Sequence, residues 1–238
     1  SRVTIIMLHL RREPVGTISA RKVGALALMF APFITLIFYF LQPGGAFIDA
    51  ADPADAGATI NAMVSNAALG KIASVLIPIG LLFFAYGLFV LQENVKSSGN
   101  GDALTRLGAL FVFVGIIGWM IGSGVSLAIS GSGLTAAKAA AVYGSLYGAT
   151  VGIGTVAGIL VGIGFLALAL ALSTREDQNK IVALVAAVTA VVVIVVTVIG
   201  GLDSSQLQLM SNITGACYVI HMVWLFLVGQ VLLKQESD

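Results

Sequence analysis

The sequence predicts an all-α integral membrane protein, a six-transmembrane-helix bundle with its N and C termini cytoplasmic. Three observations carry this. Only 10% of the residues are charged and 58% are hydrophobic, whereas a soluble domain carries about a quarter charged residues. Six apolar stretches reach the ~20 residues that a bilayer-spanning helix needs, and none of them contains a charged side chain. Ten of the twelve Lys and Arg then fall on one side of those stretches.

The spans are 23–41, 72–92, 107–130, 142–173, 181–200 and 213–233. Residues 1–22 form an N-terminal arm, 23–233 the transmembrane domain and 234–238 a short tail. With six crossings, Arg2, Arg11, Arg12, Arg21, Lys22, Lys96, Arg106, Arg175, Lys180 and Lys234 share one side. The other side holds only Lys71 and Lys138, with Asp49, Asp52, Asp55 and Asp203. Cationic loops stay in the cytoplasm, so this side is read as cytoplasmic, in a membrane expected to be the prokaryotic cytoplasmic membrane. Five or seven crossings would scatter the cations. The first span has a basic flank like a signal peptide, but its 19-residue apolar run and the loose exit at Gln42-Pro43-Gly44-Gly45 mark an uncleaved helix.

Outside the spans, segment 3–10 is apolar but too short to cross. It is read as lying at the headgroup level, held by Arg11 and Arg12. In the long loop 42–70, Pro43-Gly44-Gly45 ends the first helix, and 53–69 is expected to form a short surface helix. Asp49, Asp52 and Asp55 lack the glycine and terminal glutamate of a calcium loop, so they are read as a solvated acidic face. The fourth span exceeds one crossing, so it must tilt strongly or begin outside the bilayer. Lys22-Val23-Gly24-Ala25-Leu26, Arg106-Leu107-Gly108-Ala109-Leu110 and Lys180-Ile181-Val182-Ala183-Leu184 open spans one, three and five. A cationic anchor at each entry accounts for this faint repeat without duplication.

Two features could carry function. In span four, Gly144, Gly148, Gly152, Gly154, Gly158 and Gly162 fall within about 160° of one helical face. Gly118 and Gly122 repeat the four-residue spacing in span three. Small faces let helix backbones approach closely in lipid, so this ladder is expected to be a packing face, against neighbouring spans or another subunit. The alternative is the wall of a transport path. In span six, Thr214, Cys217, Tyr218 and Trp224 lie within about 60° of His221 on the helical wheel. The default reading of His221 is a neutral imidazole satisfied by a neighbouring hydroxyl or carbonyl. The alternative is a haem, metal or quinone contact. Pro32 and Pro78 interrupt the hydrogen-bond ladders of spans one and two.

Composition narrows the function classes. Net charge +1 gives no argument for nucleic acid. A single Cys217 and two histidines provide no metal cluster, and no cofactor is predicted. No intramembrane charge is available for proton- or sodium-coupled transport, or for a charged selectivity ring. No nucleophile–base pair or paired carboxylates suggest an enzyme. The leading expectation is a non-catalytic accessory subunit of a membrane complex, in contact with lipids and with other subunits or a second copy. The alternatives are a permease or scaffold for small neutral or lipid-like molecules, with a cavity faced by Tyr86, Trp119 or His221, and a redox subunit acting through His221.

Overall fold

The computed structural model describes residues 18–98 and 101–235. Segment 3–10 and His9 therefore lie outside the described residues, as do residues 236–238. The described chain is helical: α1 Ala20–Leu41, α2 Ala56–Ser65, α3 Ala67–Ser98, α4 Asp102–Gly131, α5 Ala136–Ser173, α6 Lys180–Leu202 and α7 Leu207–Lys234. A 3-10 turn, Ser204–Gln206, leads into α7. All but α2 are long and apolar enough to cross a membrane.

Polar side chains fix several helix starts by accepting from orphan backbone N–H groups. Ser19 caps α1 at the Lys22 amide, 3.0 Å away. Asp55 caps α2 at Ala58, and Asn179 caps α6 at Ile181 and Val182. The acidic loop residues thus do more than form a solvated face: Asp52 accepts from the Ala54 amide and Asp49 from the Asn66 side chain. Gly44 stands at φ +81°, a conformation open to glycine, where the chain turns out of α1.

Several helices outrun the predicted spans, because hydropathy marks only the stretch suited to lipid. Helix α5 begins at Ala136 in the run Ala-Ala-Lys-Ala-Ala-Ala, whose alanines favour helix. Its 38 residues are roughly 57 Å long. Near its start, Ala139, Tyr143, Tyr147 and Val151 pack with Ile60 and Met63 of α2 and Ile129 of α4. Helix α2 is therefore not simply a surface helix: Thr59, Ile60, Ala62 and Met63 are buried.

The six long helices form a ring in chain order. Each packs against the next, and α7 closes on α1. The outer faces are apolar, with Phe30, Ile37, Phe83, Leu110, Ile117, Val188 and Val195 exposed, as lipid contact requires. We call the two ends of the ring the basic end, which holds Lys22, Arg106, Arg175, Lys180 and Lys234, and the α2 end.

Toward the basic end, the helices are held by close backbone approach. A Cβ on Gly108 would lie 2.7 Å from the Gly164 carbonyl oxygen, and one on Gly164 would lie 2.7 Å from that of Gly108. Between α1 and α3, a Cβ on Gly24 would meet Val90 at 2.5 Å and one on Gly87 the Leu28 amide at 3.0 Å. Gly24 and Gly108 occupy matching positions in the faint repeat, so these segments also bring helix pairs together. Farther along, the contact is lost. Nothing lies within 4 Å of a Cβ built on Gly122, Gly144, Gly148, Gly152 or Gly154. The ladder is thus not one packing face. Only its far end meets a neighbour: Gly158 against Thr197 and Gly162 against Ile194 of α6.

Gly164→Val should therefore destabilise the protein by ~1–3 kcal/mol through overpacking, while Gly148→Val should leave its thermal midpoint nearly unchanged. Thermal unfolding monitored by size-exclusion chromatography in detergent separates the two outcomes.

Candidate functional site

Where the α4 and α5 glycines lose their neighbours, the ring encloses a cavity of about 660 Å³. Gly118, Gly122, Gly154 and Gly158 form part of its wall. Its inner end is bounded by Phe84, Trp119, Phe165, Tyr218 and Met222. Ala46, Ala50, Gln208 and Asn212 of the wall are exposed at the α2 end, and Ala216, farther along α7, is exposed as well. Below the inner end, Leu28, Leu88, Leu168, Leu172, Leu225 and Leu232 are buried and fill the ring. The space is open at one end and closed at the other. Every polar side chain in its wall is uncharged: Thr35, Tyr39, Gln42, Thr59, Ser123, Ser126, Tyr147, Thr150, Thr155, Thr197, Gln208, Ser211, Asn212, Thr214, Trp119 and Tyr218.

The predicted polar stripe of α7 divides. Thr214 and Tyr218 reach the cavity, whereas Cys217, His221 and Trp224 are buried outside its wall. Of the three residues expected to face a cavity, Trp119 does. Tyr86 instead points outward and is 39% exposed. His221 is fully buried one turn below Tyr218, with its ring centroid 4.6 Å from that of Phe165 and 6.4 Å from that of Trp224.

The bonding of His221 follows from its partners. Nε2 lies 3.0 Å from the Ala186 carbonyl oxygen and 3.1 Å from Thr189 Oγ1. A carbonyl can only accept, so Nε2 carries the proton. Thr189 already donates to the Val185 and Ala186 carbonyls, so its oxygen also accepts from His221. The histidine thereby ties α7 to α6. Its Nδ1 is buried without a hydrogen-bond partner. Among the described residues, no three of His, Cys, Asp and Glu come together as metal ligands.

Sequence reading missed Thr197 and the aromatic inner end. Thr197 is one of two hydroxyls in the Val- and Ala-rich α6. The other, Thr189, holds His221, so the pair was a usable signal. Phe84 and Phe165 carry no mark that separates them from ordinary core residues.

The closed end is bound by a polar clasp. Gln235 Nε2 donates to Asp177 Oδ2 at 2.7 Å, Asn94 Nδ2 donates to Gln235 Oε1 at 3.0 Å, and Arg21 Nη1 donates to the Gln235 carbonyl at 3.0 Å. Arg175 pairs with Asp177 at 2.7 Å. These contacts join α1, α3, α7 and the α5–α6 turn. Burial opposes ionisation of Asp177. Hydrogen bonds from Arg175 and Gln235, with the Arg175 charge, outweigh it and hold the carboxyl below its usual range.

Comparison with known proteins finds no matching family model, no similar curated protein and no similar solved structure.

Two outcomes follow from this geometry. The stabilisation from ionised Asp177 is fully present above the ordinary carboxylate value near 3.9 and is lost as pH falls through the lower folded-state value. A titration of the thermal midpoint should show this acid-side loss, and Asp177→Asn should diminish it. His221→Ala removes the α6–α7 tie and leaves a void, and should cost ~2–4 kcal/mol, read as a lower thermal midpoint in the same assay.

Proposed function

We propose that this chain is a membrane-embedded permease or binding scaffold for a small, neutral, largely apolar molecule, which enters the ring from the α2 end. The observation that carries this is the cavity, which opens at one end and has an uncharged wall. Binding sites for small molecules are typically apolar clefts of roughly 300–1,000 Å³ with a few placed polar groups, and the space here falls in that range. A neutral wall offers no compensation to an ion entering from water. The glycines that suggested an accessory packing subunit support the binding reading where they line the cavity.

The one-sided cations support placing the basic end in the cytoplasm, with the α2 end facing outward across a prokaryotic cytoplasmic membrane. The cavity then faces outward and is closed from the cytoplasm by the leucine layer and the clasp.

The test uses protein in phosphatidylcholine nanodiscs. The chain has two tryptophans, so Trp224→Phe leaves Trp119 in the cavity wall as the single fluorescence donor. Energy transfer from Trp119 to the neutral apolar probe N-phenyl-1-naphthylamine should saturate. Gly154→Leu, whose side chain projects into free space, should weaken binding at least about tenfold while the protein remains folded. Transfer that rises without saturation, or is unchanged by Gly154→Leu, would overturn the reading.

A further inference from the structure

Hydroxyl groups within apolar helices usually bond to their own backbone, and several here do. Thr35 donates to the Ala31 carbonyl, Thr150 to Tyr147, Thr155 to Val151 and Thr189 to Val185. Among the hydroxyls of the cavity wall, Tyr218 Oη and Thr197 Oγ1 are buried without a hydrogen-bond partner. A buried hydroxyl left unpaired costs ~1–3 kcal/mol; both belong to side chains of the cavity wall, so a rotation of either side chain would let its hydroxyl bond to a molecule in that space. They stand at different depths. Tyr218 is one turn of α7 outward from His221, which bonds to Thr189. Thr197 is about two turns of α6 outward from Thr189.

The surroundings of Tyr218 are aromatic. Its ring stands edge to face against Trp119, with centroids 5.7 Å apart at 81°. Phe165 meets it at 6.3 Å and 76°, and Phe84 meets Phe165 at 6.2 Å. Phe84, Trp119, Phe165 and Tyr218 all line the inner end of the cavity. Such walls favour a flat ring, through the offset and edge-on contacts that aromatic systems prefer. A phenol O–H in this setting donates best to a neutral oxygen at that ring's edge.

Building on the binding reading above, we infer that the inner end of the cavity selects a flat, neutral ring bearing a carbonyl oxygen, as in a quinone or aromatic ketone. Tyr218 is the residue that reads the oxygen. Any apolar tail on the molecule runs past Thr197 toward the α2 end. No electron transfer is required; this is recognition of shape and of one acceptor.

The test is competition in the Trp224→Phe nanodisc assay, with 1,4-naphthoquinone and naphthalene each displacing N-phenyl-1-naphthylamine. The two competitors have nearly the same flat shape and differ in the carbonyls. Naphthoquinone should compete about tenfold better, after correction for its partitioning into empty nanodiscs. Tyr218→Phe, which deletes one oxygen, should remove that preference, so that the two compounds compete equally. Retained probe binding also shows that the variant is folded. Equal competition by the two compounds in the Tyr218 protein, or a preference that survives Tyr218→Phe, overturns the inference while leaving the cavity a binding site. Absence of saturable transfer from Trp119 to the probe overturns the binding reading as well. Should Tyr218→Phe fail to fold, the comparison of the two competitors in the Tyr218 protein still decides.

Discussion

The architecture depends on how closely neighbouring backbones can approach where no charge is available to join them. Lipid gives apolar helices no reason to leave it for one another, so association rests on packing and hydrogen bonds. At Gly108 and Gly164 each glycine sits against the other's carbonyl, at distances that no side chain would permit. Gly24 and Gly87 bring α1 and α3 together in a similar way, and Gly229 meets Met29 across the α7–α1 contact. These contacts lie toward the basic end, and others, such as Gly80 against Thr35 and Gly201 against Thr155, lie farther along. Gly122 of α4 and Gly154 of α5, by contrast, meet no neighbour and line the cavity, so the same residue type that closes the ring in one place hollows it in another.

This double use explains what could be read from the sequence. The six long helices were legible because their apolar runs are long and uninterrupted, and Pro43-Gly44-Gly45 did end α1. Their true starts were less legible. The first turns of α5 and α7 carry little lipid signature, although their backbones are helical. The cavity was legible only in part: it was one alternative, and of the three residues expected to face it only Trp119 does. Gly144 through Gly162 form one stripe on a helical wheel, and a wheel cannot show whether a neighbour stands opposite. Gly162 has Ile194 there, whereas Gly154 has nothing. On α7, wheel proximity grouped His221 with Tyr218, yet three residues of rise separate a buried tie from a cavity wall.

Polar groups in the ring follow a consistent economy. Several hydroxyls are consumed by their own helix, among them Thr35, Thr150, Thr155 and Thr189, His221 Nε2 is consumed by α6, and the charged clasp stays at the end of the bundle. Against that background, the unpaired oxygens at Tyr218 and Thr197 stand out because both belong to side chains of the same cavity wall. In an apolar interior, a single unpaired donor has more influence on selectivity than it would in water, since its alternative partner is absent.

Closure of the ring through α7 and α1 also bears on how the protein is made. Every other contact between adjacent long helices joins neighbours in sequence and can form as soon as the second one is inserted. The seam between α1 and α7 must wait until translation has passed α7, and Gln235, which bonds to Arg21, Asn94 and Asp177, emerges later still. Until then the nascent protein is an arc whose inner wall is open along one side. Biogenesis therefore contains an obligatory late step, in which a groove becomes a compartment.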